Sequence, residues 1–335
     1  MKKLLVLLSI FVMSSVWAIP EADYANAYQR EIAPLLKQFK HSSFVGAENI
    51  IITTARWTSS PSADRCLVIL PGRSEQIEKY AEVVHSLNDS ELKGELVYFL
   101  MDHRGQGSSQ RFLSQIDRGY VDDFDHYASD VKTFLDQVVS KTYCRETYLL
   151  AHSMGAGIAV DFLQKYPGTV DRAVLTSPML KILTKPYPYA VARGIVLGSM
   201  AIGRGKQFAI GEKPYNPNDD FATNKFTQSK VRFDMWMNLF RELPQTQLGG
   251  VTNRWVNEIM KGTKGVRARY GKLLLPLRVI KATDERYSEA SEMEKLCRQA
   301  AQCEATTLVG KHEVLMEKDE VRNLAIQTVI KFFND

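Results

Sequence analysis

Between Cys66 and Thr176 the chain alternates near-continuous apolar runs with helical stretches, and no other feature narrows the fold as much. Cys66-Leu67-Val68-Ile69-Leu70, Leu96-Val97-Tyr98-Phe99-Leu100-Met101, Thr147-Tyr148-Leu149-Leu150-Ala151 and Arg172-Ala173-Val174-Leu175-Thr176 read as strands, with helices expected over 75–88, 123–139 and 154–165. A strand with one wet face alternates polar and apolar residues. Strands apolar at nearly every position bury both faces, which calls for a mostly parallel sheet covered by helices on both sides, the α/β class. The rhythm breaks over 181–270, which hold Pro186, Pro188, the apolar stretch Ala190–Ile202, a polar loop at Pro214–Asp220 and aromatic-rich helices carrying Phe233, Trp236, Phe240 and Trp255. It returns at Leu277–Ala282 and Ala305–Val309 and ends in a helix over Lys318–Phe333. The expected organisation is therefore a core in two parts, 19–180 and 271–335, with a helical cap inserted at 181–270. Upstream, 20–41 carry a helical pattern and 44–57 two short strands.

Residues 1–18 read as an export signal. Met1-Lys2-Lys3 is basic, Leu4 to Val12 apolar, and Val16-Trp17-Ala18 places small residues where a signal peptidase cuts, so cleavage is expected after Ala18. A membrane anchor is the competing reading, but the apolar run is short and Pro20, Glu21 and Asp23 follow at once. Export implies a periplasmic or secreted protein. The stretch Ala190–Ile202 is also too short to span a membrane and is interrupted by Arg193, so it is assigned to a lid or core. The formal charge of +5 includes Lys2 and Lys3, leaving +3 after Ala18, with no Lys/Arg block. Nucleic acid is not implied, whereas transient contact with an anionic membrane surface is compatible with that charge. The cysteines are Cys66, Cys144, Cys297 and Cys303. An even count in an exported chain suggests two disulfides, with three pairings open. No CxxC or HxxxH is present, so neither a metal nor another cofactor is expected.

Ala151-His152-Ser153-Met154-Gly155 follows a strand and opens a helix. That is the setting of a nucleophile elbow, in which a tight strand–turn–helix connection exposes the serine Oγ at the top of the sheet in the α/β-hydrolase fold. The Met154 N–H at the helix N-terminus can donate to an oxyanion. A second donor must come from the turn after an earlier strand, and Leu70-Pro71-Gly72-Arg73 supplies the Arg73 N–H. Serine needs a base oriented by an acid, and this fold threads serine, acid and histidine in that order. Of six histidines only His312 lies after the last strand, at Val309-Gly310-Lys311, so it is the candidate base. The acid belongs in Ala282-Thr283-Asp284-Glu285-Arg286. Glu285 has the expected register and Asp284 is the alternative. His152 should point away from Ser153, and Asp102 and Arg104 are expected to brace loops.

Leu70-Pro71-Gly72-Arg73-Ser74-Glu75 with Lys79-Tyr80, Asp102-His103-Arg104-Gly105-Gln106-Gly107-Ser108, Ala151–Gly155 and His312-Glu313-Val314-Leu315-Met316-Glu317 together resemble the monoacylglycerol-lipase-like serine hydrolases. The resemblance covers nearly all of 22–334 and is nearest to their bacterial lysophospholipase branch, which Arg232-Phe233 and Leu248–Trp255 also resemble. Three positions depart from the pattern: Pro71 replaces a histidine before the oxyanion turn, Ala151 a glycine before the elbow, and Glu285 an aspartate. The resemblance implies hydrolysis of a single-chain acyl ester, a lysophospholipid or monoacylglycerol, through an acyl-enzyme. A carboxylesterase or peptidase of the same fold, and a catalytically inactive lipid-binding homologue, are the alternatives. The fold also suggests pairing the cysteines as Cys66 with Cys144, at one edge of neighbouring strands, and Cys297 with Cys303 locally.

Overall fold

The computed structural model describes residues 19–335, so the export signal expected over 1–18 lies outside the described residues. One eight-stranded sheet organises the chain, in the order β1-β2-β4-β3-β5-β6-β7-β8. The strands are β1 (Lys40–Val45), β2 (Ile51–Thr58), β3 (Arg65–Leu70), β4 (Leu96–Met101), β5 (Glu146–His152), β6 (Arg172–Thr176), β7 (Pro276–Asp284) and β8 (Gln302–Lys311). The β1–β2 and β2–β4 pairs are antiparallel, and all pairs from β4 to β8 are parallel. This is the α/β-hydrolase fold.

The apolar runs are continuous because alternate residues enter two separate cores. Leu67, Ile69, Tyr98, Leu100, Tyr148 and Leu150 face one side, which also holds α1 (Tyr24–Ala27), α2 (Ala33–Leu36), α3 (Ala81–Asn88), and residues of the later helices described below. Cys66, Val68, Leu70, Val97, Phe99 and Leu149 face the other, under α4 (Asp125–Gln137) and α5 (Ser153–Lys165). Between β6 and β7 lie α6 (Tyr189–Ala201), α7 (Lys230–Glu242) and α8 (Asn253–Arg267); α9 (Ala290–Gln299) and α10 (Asp319–Asn334) follow β7 and β8. Helices α7 and α10 join the first core, α8 and α9 the second.

Two sequence expectations are adjusted. The N-terminal helical stretch stops at Leu36 rather than near His41, because Gln38 and Phe39 donate to Leu35 and Leu36 and close the turn, and Lys40 then pairs with Arg56 of β2. Of α6 only Val196 is buried, so the apolar stretch 190–202 is not core. No helix among the described residues is long and apolar enough to cross a membrane. The cysteines pair as Cys66–Cys144 and Cys297–Cys303, with Cα–Cα separations of 5.5 and 4.8 Å.

Candidate active site

Ser153 is the hinge between β5 and α5, held at φ 49°, a left-handed conformation that non-glycine residues seldom adopt and that a nucleophile elbow demands. The turn is tight because it abuts the end of β3. A Cβ on Gly155 would run into the carbonyl oxygens of Leu70 and Pro71. The serine is 8 % exposed, at the carboxyl end of the sheet.

His312 follows β8 and reaches back to the elbow. Its Nε2 lies 2.8 Å from Ser153 Oγ and its Nδ1 2.7 Å from Glu285 Oε2. The other oxygen, Glu285 Oε1, accepts the backbone N–H groups of Tyr287 and Ser288 at 2.8 and 3.1 Å. Burial alone would raise the Glu285 carboxyl. The hydrogen bond and charge of His312 and the two backbone donors outweigh it and hold the group below its ordinary range, so it is ionised. Asp284 occupies the end of β7, its carboxylate tied to Arg286 at 2.7 and 3.0 Å with its side chain 39 % exposed. The histidine is steadied from further sides: Ser177 Oγ donates to its carbonyl oxygen at 2.8 Å, and the Tyr287 ring stands 4.9 Å from the imidazole.

The turn after β3 is clamped by residues of the 102–108 loop. His103 Nε2 meets the Pro71 carbonyl at 3.1 Å, and Gln106 Nε2 donates to the Gly72 carbonyl at 2.7 Å. Burial pushes His103 down to about 4, so the ring is neutral at physiological pH. Asp102 accepts the N–H groups of Ile77 and Ser108, and Arg104 makes a buried fork to Asp130 at 2.6 and 2.8 Å. With both carbonyls turned away, the Arg73 N–H has no partner among the described residues. The Met154 N–H, one of the first four of α5, lacks an intrahelical partner as well.

Beneath these groups lies an ionic cluster that the sequence reading did not anticipate. Lys79 Nζ bridges Glu75 at 2.7 Å and Glu313 at 2.8 Å, each side chain at most 5 % exposed, and stands 4.1 Å from the Trp236 ring. His152 Nε2 lies 3.1 Å from Glu313, while its Nδ1 lies 2.9 Å from Thr176 Oγ1. Burial opposes charge on His152, but Glu313 and Glu75 raise it above its ordinary value. Glu75 also accepts Gly72 N–H at 2.5 Å and Tyr80 O–H at 2.7 Å. Burial and then the Glu313 charge lift its carboxyl above the ordinary range. Glu75, His152 and Glu313 offer ligand atoms within 4.8 Å of one another, close enough to hold a metal ion, but the Lys79 ammonium already stands where a cation would bind. The cluster touches three loops that carry candidate catalytic groups: Glu75 is in the turn after β3, and His152 and Glu313 adjoin Ser153 and His312. The spacing of Glu75 and Lys79, four residues apart, was its one local signal; the rest comes from distant loops.

Hydroxyl, imidazole and carboxylate in line, beside two free backbone N–H groups, can activate a serine and stabilise an oxyanion. Together with the sheet they define the class: a serine hydrolase of the α/β-hydrolase fold. The family model described as serine aminopeptidase, S33 (Hydrolase_4), matches residues 61–319, and the chain belongs to that family. The lysophospholipase L2 of Escherichia coli K12 is 30 % identical over 334 residues, covering 97 % of this chain and 96 % of its own length. A monoacylglycerol lipase of Mycolicibacterium smegmatis is 29 % identical over 48 % of this chain and 54 % of its own length. Among solved structures, a soluble variant of the Saccharomyces cerevisiae monoglyceride lipase superposes with a TM-score of 0.67 at 14 % identity, covering 88 % of this chain and 94 % of that one. The Bacillus coagulans carboxyl esterase does so with 0.69 at 16 %, covering 88 % and 98 %. These structural likenesses speak to the fold alone.

Proposed function

We propose that the protein hydrolyses the acyl ester of a single-chain lipid, a lysophospholipid or monoacylglycerol, through an acyl-enzyme on Ser153. The observation that carries the chemistry is the continuous relay from Ser153 Oγ through His312 to Glu285, at 2.8 and 2.7 Å. His312 Nε2 takes the serine proton as Oγ attacks the ester carbonyl, and Glu285 orients the ring through Nδ1 and stabilises the imidazolium that forms. The N–H groups of Arg73 and Met154 receive the oxyanion. The leaving alcohol takes its proton from His312. Water, deprotonated by the same histidine, then releases the fatty acid. The lipid class rests on the L2 relative, whose match runs along nearly the whole chain.

Residues 181–270 act as a cap over the carboxyl edge of the sheet. Its helix α6 and the following loop present Val191, Leu197, Ile202 and Ile210 to solvent beside Arg193, Arg204 and Lys206, which suits transient contact with an anionic lipid surface. The expected signal at residues 1–18 and the two disulfides favour an exported protein. The test is Ser153→Ala assayed on lysophospholipids, monoacylglycerols and short esters. Loss of about a thousandfold or more in kcat with an unchanged melting curve is expected, and retained turnover overturns the assignment. A wild-type preference for short esters or aminoacyl amides over single-chain lipids overturns the lipid class.

A further inference from the structure

Arg73, half-buried, lacks the carboxylate partner that the fully buried arginines of this protein have. Arg104 is ion-paired to Asp130 at 2.6 Å, Arg232 to Glu82 and Asp319 at 3.1 and 2.9 Å, and Arg322 to Glu82 at 3.2 Å. Arg73 has no carboxylate within ion-pair distance among the described residues, which is also true of the half-buried Arg56, Arg111 and Arg118, but Arg73 carries its guanidinium on the residue whose N–H faces the candidate oxyanion position. Its guanidinium donates through Nη2 to the carbonyl oxygen of Gly249 in the cap and lies 5.5 Å from the Trp255 ring, while its Nε is buried with no hydrogen-bond partner. The surroundings make room for this fork. A Cβ on Gly119 would stand 2.8 Å from Nη2. Glu212, the carboxylate whose charge acts on the Arg73 guanidinium, is beyond ion-pair distance and accepts the Val251 N–H at 2.9 Å. A partly buried guanidinium with a free donor and no counterion is costly unless an anion completes it.

We infer that the Arg73 guanidinium is the subsite for the phosphate of a lysophospholipid head group, held while the ester carbonyl sits on the backbone N–H of the same residue. The inference rests on the acyl-ester reading above and adds the head group to it. The covalent reach fits. As many bonds separate the amide nitrogen of an arginine from its guanidinium carbon as separate the sn-1 ester carbonyl carbon of a glycerophospholipid from its phosphorus. A guanidinium pairs with phosphate oxygens as a fork, and Nε offers one arm of it. A neutral monoacylglycerol leaves that arm empty, so the subsite separates the two lipid classes that the catalytic groups alone treat alike.

The test compares kcat/KM for a lysophospholipid and a monoacylglycerol of the same acyl chain and reads only their ratio. A disturbed oxyanion turn slows both substrates together and cancels. Arg73→Gln should lower the ratio in favour of lysophospholipid by about 10- to 100-fold, as loss of a hydrogen bond to a charged group does. Gly119→Ala leaves Arg73 in place but crowds its guanidinium. It should move the ratio the same way, which keeps the test alive if Arg73→Gln does not fold. sn-Glycerol 3-phosphate should inhibit monoacylglycerol hydrolysis by the wild type, and more weakly in either variant. A ratio within about twofold of wild type in the folded variants overturns the subsite and leaves Arg73 a brace between cap and core. If the wild type turns over neither lipid, the ester reading falls on its own account. The subsite is then decided by calorimetric titration of sn-glycerol 3-phosphate, where equal affinity in wild type and variant, or no binding by the wild type, overturns it.

Discussion

Replacing Lys79 by methionine removes one ammonium and leaves a side chain of similar length beneath the active site. Two buried carboxylates, Glu75 at 2.7 Å and Glu313 at 2.8 Å, then lose their common cation. Breaking a buried pair on one side costs about 3–5 kcal/mol. At roughly 2.1 cal/mol/K of unfolding entropy per residue, a chain of this length loses about 1.5 °C of melting midpoint per kcal/mol, so a fall of about 4–8 °C is expected. The fall depends on pH, and the sign follows from Glu75. Burial, then the Glu313 charge, already lifts its carboxyl above the ordinary range, while Lys79 pulls it down. Without Lys79 it rises further. A carboxyl raised in the folded state binds more protons there than in the unfolded chain, so stability falls as pH rises from its ordinary value through its folded one. Calorimetry at pH 5 and pH 8 should show the larger loss at pH 8, where ionising Glu75 is most costly. Equal losses at the two pH values, or a shift below about 1.5 °C at both, would refute the reasoning.

Glu285→Gln keeps the shape of the acid but removes the charge facing His312 Nδ1, and kcat should fall by about 10²–10⁴-fold; Asp284→Asn, on the exposed side, should stay within about twofold of wild type, and steady-state kinetics on one ester compares them. Gly155→Val drives a side chain into the carbonyls of Leu70 and Pro71, so stability should fall by about 1–3 kcal/mol or more, read as a lower melting midpoint and soluble yield; a variant as stable as wild type contradicts the tight elbow. The Cys66–Cys144 bridge spans 78 residues and Cys297–Cys303 spans 6, so chain entropy makes removal of the first cost about 4–5 kcal/mol and of the second about 2–3. Denaturant unfolding of the two paired-alanine variants should preserve that order.

The sheet was legible because its evidence is local: a strand buried on both faces must be apolar at successive positions, and β3 to β6 are. The same holds for Ser153, announced by a strand before it and small residues after it. His312 and Glu285 were reachable by chain order, since the fold brings the loops after β7 and β8 to one edge. The support beneath them was not. Glu313 and His152 stand beside candidate catalytic residues in the sequence, yet nothing local reveals that Glu313 meets Lys79 from the far side of the sheet or that His152 meets Glu75 across the neighbouring strands β5 and β3. The start of β1 was hidden for a different reason. Helical periodicity continues through Phe39, and only the pairing of Lys40 with Arg56 decides where the helix gives way.

The Cys66–Cys144 bridge lies at the far end of the molecule from the chemistry, yet it joins the chain at the roots of the strands that carry it. β3 delivers the proposed oxyanion turn at its carboxyl end and β5 delivers Ser153, and the two are parallel neighbours in register from Arg65 opposite Glu146 to Leu70 opposite Ala151. The bond between them is a stop against shear. If one strand slid along the other by a single residue, the Arg73 donor would move by about 3.3 Å relative to the nucleophile, more than a hydrogen bond tolerates. Reducing the bridge would leave that register to the backbone ladder and side-chain packing alone.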